Sequence, residues 1–539
     1  MDPEDWIAHD PDPVTAAELA GCDPGELSAR FTRPLTFGTA GLRGPVRGGP
    51  DAMNLAVVLR ATWALAKVLT AHTPSLAGST VIVGRDARHG SAEFATATAE
   101  VLAAAGFSVV LLPHPVPTPV VAFAVRHIDA TAGIQITASH NPPIDNGYKV
   151  YLDGGIQIVS PIDREIEAAM ADAPFADEIA RAPVEPADAG LVGCYVERAA
   201  QVRRSSGQIR VALTALHGVG GAVAVETLQR AGFDDVRTVR RQFAPDPNFP
   251  TVAFPNPEEP GATDALLTLA AKVDADIAIA LDPDADRCAV GIPTPTGWRM
   301  LSGDETGWLL GDFILSQTDP DELATSLVAS TVVSSRMLAA IASYWGAHHV
   351  ETLTGFKWLA RADTERPGSV LIYAYEEAIG HCVDPTAVRD KDGISAAVLA
   401  SDLVASLNRQ GRSVLDALDD LAHRFGVHVG AATSRPVTNT DETAALMRRL
   451  RTSPRRHLAG FASTTTDLLQ RDGPHRTDAL IFAGGDADTS VRVVVRPSGT
   501  EPKVKFYIEV RSAVTDELSA VRERATALCD ELTSSVQHW

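Results

Sequence analysis

Short apolar runs alternate with longer segments of helical character along most of the chain, beginning near residue 79. Apolar runs at 80–83, 107–112 and 132–136 predict strands, and an alanine-rich segment over 92–105 predicts a helix. Such alternation is typical of parallel βαβ units, because each crossover helix returns the chain to the same end of the sheet. The pattern therefore predicts a first α/β block whose last strand ends directly before Thr137.

The same alternation restarts twice further along the chain. The second block is predicted from strands at 210–215 and 277–281 and a helix over 222–231. The third block is predicted after about residue 300, from helices over 305–315 and 337–345 and strands at 327–333 and 370–374. Each block delivers a polar loop at the end of a strand, and open α/β sheets bind their ligands at that edge.

The two ends of the chain depart from this pattern. Strands at 491–495 and 504–510 flank a polar loop, and a terminal helix over 515–534 follows, which predicts a smaller α+β domain after a linker near 435–440. The first 30 residues are expected to add only a short capping helix. The predicted domains are 1–205, 206–299, 300–428 and 429–539.

Composition excludes several classes of protein. A chain of 539 residues is too long for one hydrophobic core, and its 45% of hydrophobic residues is ordinary for a globular protein. The formal net charge of −21 excludes general nucleic-acid binding, so an anionic substrate must be captured by local Arg and Lys residues. The five scattered cysteines indicate reduced thiols rather than disulfides or a zinc site.

Hydropathy and the N-terminus bear on localisation. No apolar run reaches the roughly 20 residues of a membrane span. The N-terminal residues are acidic and contain no signal-peptide core. We therefore expect a cytoplasmic protein with no membrane partner.

Three aspartates, Asp282, Asp284 and Asp286, directly follow a predicted strand and alternate with Pro283 and Ala285. On an extended loop their side chains point the same way, so three carboxylates can converge on one hard cation, and Mg²⁺ suits such a set. A calcium-hand loop is excluded because no glycine stands at the sixth position. An acidic surface turn is the alternative, but three close carboxylates repel one another unless a cation joins them.

Ser139 stands in a polar loop, Thr137-Ala-Ser-His-Asn-Pro-Pro143, directly after a predicted strand. It could be a nucleophile or carry a phosphoryl group, or it could serve only as a turn or N-cap hydroxyl. The loop lacks a Gly-x-Ser-x-Gly elbow, which argues against acyl transfer. His140 is a catalytic candidate, although neighbours on an extended chain point apart, which makes it a poor base for Ser139. Lys149 is a further acid/base candidate.

Two other segments suit a sugar phosphate. Residues 496–500 combine the Arg496 guanidinium, two hydroxyls and a glycine, which suits a phosphate dianion, and Lys503 adds charge; a tight turn is the alternative. Glu376 and Glu377 could accept hydrogen bonds from vicinal sugar hydroxyls, although paired glutamates are also common on solvated surfaces.

Two arginines lie beside these segments. Arg43 belongs to a glycine-rich segment, 38–44, that is not a Walker A loop because no Gly-Lys-Ser/Thr follows. It is a plausible phosphate contact. Arg287, directly after the aspartates, could neutralise part of their charge or touch a phosphoryl group in transfer.

In combination these segments resemble the α-D-phosphohexomutase family, the phosphoglucomutase and phosphomannomutase enzymes. The resemblance spans the chain in order: GTAGLRG (38–44), TASHNPP (137–143), DNGYK (145–149), DPDADR (282–287), GFKW (355–358), EEAIGH (376–381), RDKDG (389–393) and RPSGTEPK (496–503). FGTAGLRG, GFKW and EEAIG most resemble the branch with phosphoglucomutase-2 and phosphopentomutase-like enzymes. The resemblance implies three related α/β domains and a C-terminal domain of TATA-binding-protein-like fold around a central cleft.

The resemblance also implies a role for each matching residue. Ser139 becomes the phosphoserine, and Asp282, Asp284 and Asp286 become Mg²⁺ ligands together with a phosphoserine oxygen. The remaining implied substrate and acid/base residues are Arg43, Lys149, Arg287, Gly355, Lys357, Glu376, Glu377, His381, Lys391, Arg496, Ser498, Gly499, Thr500 and Lys503. Many relatives carry a serine in the sugar loop where this chain has Ala378 or Ile379, so the loss of that hydroxyl weakens any choice of hexose epimer.

The implied reaction is a mutase reaction on a sugar phosphate, with a sugar bisphosphate such as glucose 1,6-bisphosphate as activator and a monomeric or homodimeric enzyme. A phosphopentomutase or a sugar-1,6-bisphosphate synthase would use the same machinery. A catalytically silent sugar-phosphate-binding protein is disfavoured because the serine, the aspartates and the phosphate loop are all intact. A Mg²⁺-dependent phosphatase would release phosphate without forming an isomer.

Overall fold

The computed structural model describes residues 2–38, 41–72, 79–437, 440–498 and 503–539. The chain forms two compact units. The first comprises Met1–Leu301 with Ala378–Ser406, and the second comprises Ser302–Glu377 with Leu407–Trp539.

The first unit begins with a mixed sheet whose strand order is β1-β5-β4-β2-β3, with β6 paired to β5. Its strands are β1 (Leu42–Pro45), β2 (Thr80–Arg85), β3 (Ser108–Leu111), β4 (Ala132–Ile136), β5 (Asp145–Leu152) and β6 (Ile156–Gln157). Strands β2, β3 and β4 are parallel, and β5 is antiparallel to β4 and β1. Strand β4 is buried along its whole length, and the serine loop directly follows its C-terminal end.

A second mixed sheet in this unit has the order β11-β10-β9-β7-β8. Its strands are β7 (Arg210–Thr214), β8 (Asp235–Thr238), β9 (Ile277–Leu281), β10 (Cys288–Thr294) and β11 (Gly297–Met300). Strand β7 is parallel to β8 and β9, whereas β10 is antiparallel to its neighbours. The fully buried β9 delivers the aspartate loop at its C-terminal end.

Helices cover the sheets of the first unit. They are α1 (Pro3–Ala8), α2 (Pro13–Ala20), α3 (Pro24–Thr32), α4 (Leu55–His72), α5 (Ser91–Ala104), α6 (Thr118–His127), α7 (Ile162–Ala171), α8 (Gly190–Ala200), α9 (Gly220–Arg230) and α10 (Asp264–Val273), with 3₁₀ turns at Asp153–Gly155, Ala176–Glu178 and Arg240–Gln242. Among the described residues α4 alone is long and apolar enough to cross a membrane, but most of it is buried in the core of this unit.

The N-terminus differs from the single capping helix that was expected. Helices α1, α2 and α3 each begin with an aspartate N-cap followed by proline at the first helical position. An Asp side chain satisfies free backbone N–H groups, and proline needs no hydrogen-bond partner there. The repeated Asp-Pro pairs at Asp2, Asp12 and Asp23 were therefore a start signal that the sequence analysis missed.

The second unit contains parallel strands β12 (Ser326–Thr331), β13 (His348–Thr352) and β14 (Val370–Glu376), with β12 between the other two. A short strand β15 (Gly380–Cys382) follows in the returning segment of the first unit. The C-terminal sheet is antiparallel, in the order β16-β21-β20-β19-β18-β17. Its strands are β16 (Val427–Pro436), β17 (His457–Leu458), β18 (Phe461–Asp467), β19 (Leu480–Gly485), β20 (Thr489–Pro497) and β21 (Lys503–Ser512).

The remaining helices belong mainly to the second unit. They are α11 (Gly303–Ser316), α12 (Pro320–Leu323), α13 (Met337–Trp345), α14 (Phe356–Leu359), α15 (Gly393–Arg409, which begins in the first unit), α16 (Val414–Phe425), α17 (Thr440–Thr452) and α18 (Leu518–Val536), with 3₁₀ turns at Ala362–Glu365, Leu468–Gln470 and Gly473–His475. The α/β order and the smaller α+β C-terminal part agree with the predicted fold class.

The predicted linker near 435–440 is wrong at Arg435 and Pro436, which belong to β16, and at Thr440, where α17 begins. Strand β16 pairs with β21 without interruption as far as Pro436 opposite Lys503. Proline is tolerated there because β16 lies at the edge of the sheet and ends at that residue. The positions Thr438 and Asn439 lie outside the described residues.

Candidate active site

The aspartate loop brings its three carboxylates together. Asp282, Asp284 and Asp286 are buried, and one carboxylate oxygen from each lies within 4.8 Å of the others. The loop is a turn and not the extended segment that was expected. The backbone N–H of Ala285 donates to the carbonyl of Asp282 at 2.9 Å, and Ala285 has a positive φ of 52°. The convergence of the three carboxylates was thus predicted correctly, but it results from a turn and not from an extended backbone.

Glycines let other backbone segments pack directly on this turn. A Cβ at Gly218 would lie 2.3 Å from Cα of Pro283, and one at Gly393 would lie 2.3 Å from the carbonyl oxygen of Arg287. Any larger residue at these positions would displace the turn. The backbone at Gly218 and at Gly393 therefore packs directly against the aspartate loop.

Two lysines contact the same carboxylates. Lys149 Nζ lies 2.7 Å from Asp284 Oδ2 and 2.8 Å from Asp286 Oδ2, and Lys391 Nζ lies 3.1 Å from Asp286 Oδ2. The Thr118 hydroxyl donates to Asp284 Oδ2 at 2.5 Å. Lys149 and Lys391 were both predicted site residues, and in the structure both contact the aspartate loop. Thr118 was missed, because nothing in its local sequence points to a residue 166 positions away.

The surroundings divide the three aspartates into two kinds. Burial raises the pKa of Asp282 well above its usual value, and the neighbouring Asp284 and Asp286 raise it further. Burial would also raise the pKa of Asp286, but Lys149 and Lys391 outweigh it and hold the pKa well below the usual range. The pKa of Asp284 is lowered because Lys149 and the Thr118 hydroxyl overcome burial and the charge of Asp286.

The loop fits a divalent cation. Asp284 Oδ1 and Asp286 Oδ1 are buried, and within the described part of the chain neither accepts a hydrogen bond. Buried oxygens of this kind normally have a partner. Convergent carboxylate oxygens are hard ligands that suit Mg²⁺, and water or a phosphate oxygen can fill its remaining coordination positions. The aspartates can therefore bind a metal.

Ser139 is held against this loop. Its hydroxyl donates to Asp282 Oδ2 at 2.9 Å, and its side chain is buried. Its backbone N–H donates to the Thr137 hydroxyl at 2.9 Å, and its φ is +54°. Positive φ is strained for a non-glycine residue and is concentrated at functional sites. The serine that the sequence singled out and the aspartates thus meet across 143 residues.

The residue that holds the serine loop in place was not predicted from the sequence. The guanidinium of Arg88 donates four hydrogen bonds to backbone carbonyls, those of Ser139 (2.7 Å), Asn141 (2.6 Å), Pro142 (2.7 Å) and Asp145 (3.1 Å). Arg88 is 4% exposed. A buried guanidinium fixing four carbonyls can make a loop conformation unique. Only its position after strand β2 could have suggested it.

Two predicted arginines lie near the serine loop and the aspartate loop. Arg43 Nη1 lies 3.4 Å from Asn141 Oδ1, and Arg287 Nε lies 3.7 Å from Asp286 Oδ1. His140 is half-buried, and burial lowers its pKa well below the usual value, with Arg287 and Arg43 adding to the effect. His140 is therefore neutral at neutral pH. This concentration of positive charge suits a phosphoryl group on Ser139.

His381 lies in strand β15 and is fully buried. Burial lowers its pKa to about 3, so it is also a neutral imidazole at neutral pH. Its backbone carbonyl accepts a hydrogen bond from Asp392 N at 2.8 Å. Its role as a substrate contact stays a prediction.

The predicted sugar-binding residues lie in the second unit. Glu377 Oε2 accepts from the hydroxyls of Thr331 at 3.1 Å and Ser334 at 3.0 Å, whereas Glu376 is buried at the end of β14. Gly355 has a φ of +110°, which favours glycine, and it caps the short helix that contains Lys357. Thr331 and Ser334 were missed, and they fix the orientation of the Glu377 carboxylate.

The predicted phosphate loop is described at its two ends only. Arg496 pairs with Lys505 in the β20–β21 ladder, and Ser498 N donates to the carbonyl of Lys503 at 2.9 Å. Gly499 and Thr500 lie outside the described residues.

The charges of Glu377 and Arg496 both affect Tyr507 within the second unit. Burial raises the pKa of Tyr507 to about 12, Glu377 adds to this effect, and a hydrogen bond from Arg496 opposes it. The glutamate and the arginine therefore both act on one phenol. The sequence analysis missed this residue, which stands in an ordinary alternating strand.

The chain also matches models of a known protein family along most of its length. Four sequence models match the chain in order: phosphoglucomutase/phosphomannomutase alpha/beta/alpha domains I (residues 34–177), II (194–295) and III (302–425), and the phosphoglucomutase/phosphomannomutase C-terminal domain (483–526). The chain belongs to the phosphoglucomutase/phosphomannomutase family.

Individual proteins agree with this assignment. The chain is 40% identical to a probable phosphomannomutase of Haemophilus influenzae over 85% of its length and 93% of that protein. It is 33% identical to a phosphopentomutase of Mus musculus over 94% of its length and 89% of that protein. The crystal structure of parafusin, a Paramecium phosphoglucomutase, shares the fold with a TM-score of 0.71, at 18% identity, over 94% of this chain and 96% of that one. This protein is a phosphosugar mutase of the α-D-phosphohexomutase family.

Proposed function

We propose that this mutase moves a phosphoryl group between the 1- and 6-hydroxyls of a hexose phosphate, glucose or mannose, through a phosphoserine at Ser139 and a sugar bisphosphate. The observation that carries the proposal is the hydrogen bond from the Ser139 hydroxyl to Asp282 of the aspartate loop, at 2.9 Å. Phosphoryl transfer requires the phosphoryl carrier to lie next to metal ligands and cationic side chains, and the contact between Ser139 and Asp282 supports that role for Ser139.

Asp282, Asp284 and Asp286, with an oxygen of the phosphorylated serine, would hold Mg²⁺. The ion supplies Lewis-acid polarisation of a phosphoryl oxygen when it is bound. The spare carboxylate oxygens of Asp284 and Asp286 support this assignment.

The phosphoryl transfer itself is carried by the chain's own side chains. The bond between phosphorus and Ser139 Oγ breaks, a bond forms to the attacking sugar oxygen, and the proton of that hydroxyl passes to a base. Lys149 and Lys391 contact the aspartate loop, and with Arg43, Arg287 and His140 they are the candidates for charge stabilisation or proton transfer. Slow phosphate-ester chemistry requires on the order of 20 kcal/mol of such assistance.

Most of the proposed substrate-recognition residues lie in the second unit. Glu376 and Glu377 accept hydrogen bonds from sugar hydroxyls. The other proposed contacts are Gly355, Lys357, His381, Arg496, Ser498, Gly499, Thr500 and Lys503, of which His381 belongs to the first unit. The orientation of Glu377 by two hydroxyls supports its role in sugar recognition.

The proposal also covers the domain bounds, the activator, the location and the oligomeric state. We propose domains at 1–205, 206–299, 300–428 and 429–539, glucose 1,6-bisphosphate or the matching sugar bisphosphate as activator, a cytoplasmic location, and a monomer or homodimer without nucleic-acid or membrane partners. The net charge of −21 supports the exclusion of nucleic acid.

A phosphopentomutase is the second candidate. The mouse phosphopentomutase aligns with 94% of this chain, and the sugar loop contains Ala378 and Ile379 and no serine hydroxyl. A loop with one fewer hydroxyl is less able to select a hexose epimer.

Side-by-side turnover separates the candidates. Glucose 1-phosphate, mannose 1-phosphate and ribose 1-phosphate would each be supplied with Mg²⁺ and a trace of the matching bisphosphate. Conversion of one hexose phosphate at a much higher kcat/KM supports the proposal, and preference for ribose 1-phosphate supports the second candidate. Release of phosphate from all three without isomer formation would overturn both.

A further inference from the structure

A buried carboxylate lies directly behind Lys391. Asp390 is 1% exposed, and its Oδ2 accepts hydrogen bonds from the Tyr151 hydroxyl at 2.8 Å and from Gln157 Nε2 at 2.7 Å. Its Oδ1 accepts from the backbone N–H of Lys391 at 2.8 Å and lies 3.4 Å from Lys391 Nζ. Both oxygens of this carboxylate therefore accept hydrogen bonds, and two of its contacts are with Lys391.

The same lysine reaches forward to the aspartate loop, where its Nζ lies 3.1 Å from Asp286 Oδ2. The Lys391 ammonium group thus contacts two carboxylates, those of Asp390 and Asp286. A flexible four-carbon side chain has many rotamers, so a fixed second anion restricts where its ammonium group can lie.

Strand β5 connects this support to the other lysine of the site. Residues i and i+2 of a strand share one face, so Lys149 and Tyr151 point the same way from β5. Lys149 contacts Asp284 and Asp286, and Tyr151 contacts Asp390. One face of β5 therefore sets both lysines relative to the aspartate loop.

Burial and the neighbouring Asp390 raise the pKa of Tyr151 well above its usual value, so the phenol stays protonated and acts as a donor. A hydrogen bond between a buried neutral donor and a carboxylate is among the stronger kinds, and its loss leaves part of the carboxylate without a partner.

A nearby pair provides the ordinary structural counterpart. The Tyr195 hydroxyl donates to Asp392 Oδ1 at 2.7 Å, and that oxygen also accepts from the backbone N–H groups of Ile394 and Ser395 at the start of helix α15. This second buried Tyr–Asp pair caps a helix. The first pair has no helix end to cap and contacts a site lysine instead.

We propose that Asp390, fixed by Tyr151 and Gln157, is a positioning residue that holds the Lys391 ammonium group on Asp286 for phosphoryl transfer. The inference rests on the proposed function, in which Lys391 acts at the phosphoryl group. It assigns to three buried side chains a role in the chemical step.

The test compares Tyr151→Phe with the matched control Tyr195→Phe. Each variant removes one phenol hydroxyl from a buried aspartate. Tyr151→Phe is expected to lower kcat about tenfold, the size of one lost hydrogen bond to a charged group, with KM changed less than about twofold. Tyr195→Phe is expected to lower Tm by about as much as Tyr151→Phe does, while its kcat stays within about twofold of the wild type. Equal kcat values for the two variants would overturn the proposal.

A double-mutant cycle separates positioning from a general loss of structure. If Tyr151 and Asp390 act through Lys391, Tyr151→Phe has less than about a twofold effect on the transfer rate in a Lys391→Gln background. The same tenfold loss in both backgrounds would overturn the inference. Single-turnover transfer from phosphorylated Ser139 extends the measurement to slow variants, and Asp390→Asn is expected to show the same dependence on Lys391.

Failure of the inference is distinguishable from failure of the proposed function. An active wild type with no difference between Tyr151→Phe and Tyr195→Phe overturns only the role of Asp390. A wild type that forms no isomer, or a Ser139→Ala variant that retains full turnover, overturns the proposed function itself.

Discussion

Replacement of Arg88 by lysine tests whether the conformation of the serine loop depends on the Arg88 guanidinium. Arg88 donates to four backbone carbonyls between Ser139 and Asp145 and lies over the ring of Phe249 at 5.0 Å. Lysine keeps the charge, but its ammonium group has three donors and no planar fork. At least one carbonyl of the loop therefore loses its partner, and the others change geometry.

The size of the effect follows from these contacts. A buried group that loses its hydrogen-bond partner costs about 1–3 kcal/mol, so Arg88→Lys is expected to lower the free energy of unfolding by about 2 kcal/mol. The effect on turnover should be larger. A shift of about 1 Å in a reacting group can cost about 100-fold in rate, and Ser139 is one of the residues whose carbonyl Arg88 binds.

Arg60→Lys is the matched control. Arg60 is also buried, donates to three backbone carbonyls, those of Met170, Ala173 and Pro174, and lies over the ring of Trp6 at 5.9 Å. Its loop contains no proposed site residue. Thermal unfolding and kcat would be measured for both variants with saturating sugar phosphate. Similar losses of stability with a kcat loss confined to Arg88→Lys support the reasoning, whereas equal kcat values refute it.

Three further predictions concern pH, packing and metal. Burial raises the pKa of Asp304 to about 7, above its unfolded value of about 4, so its contribution to stability is full below about pH 4 and is lost as the pH rises through about 7. Asp304→Asn should therefore flatten the dependence of Tm on pH between about pH 4 and 7. An unchanged slope in the variant would contradict this role of Asp304. Gly393→Ala places a Cβ 2.3 Å from the carbonyl oxygen of Arg287 and should lower kcat by at least about tenfold, whereas Gly193→Ala, with nothing within 4 Å, should not; equal effects would show that the aspartate turn tolerates displacement. Mg²⁺ should raise the Tm of the wild type, and chelation or Asp284→Asn should abolish that rise; a rise that persists in the variant would place the ion elsewhere.

Local patterns predicted the elements that deliver the chemistry. Strands β4 and β9 span the apolar runs at 132–136 and 277–281, because five consecutive buried residues bounded by polar loops leave little choice of boundary. The serine and the aspartates lie at the C-terminal ends of those strands, where parallel sheets expose polar loops. Their meeting in space follows from the order of the strands, which the sequence does not specify locally.

The residues that hold the site were not predictable in the same way. Arg88 stands in an ordinary local context, and its importance comes from its hydrogen bond to the Ser139 carbonyl, 51 positions away. The Asp-Pro pairs at the N-terminus were a local signal, and three helices could have been predicted from them. The linker near 435 failed because a proline at the edge of a sheet resembles a loop proline.

The most direct test of the central claim is the fate of a phosphoryl group at Ser139. The protein, first treated to remove phosphate, would be incubated with Mg²⁺ and glucose 1,6-bisphosphate labelled in its phosphates, then chased with unlabelled glucose 1-phosphate while peptides are mapped. The account predicts one labelled phosphoryl group on the peptide containing Ser139, lost to sugar phosphate during the chase and absent from Ser139→Ala. Label on another residue, or label released only as inorganic phosphate, would contradict it.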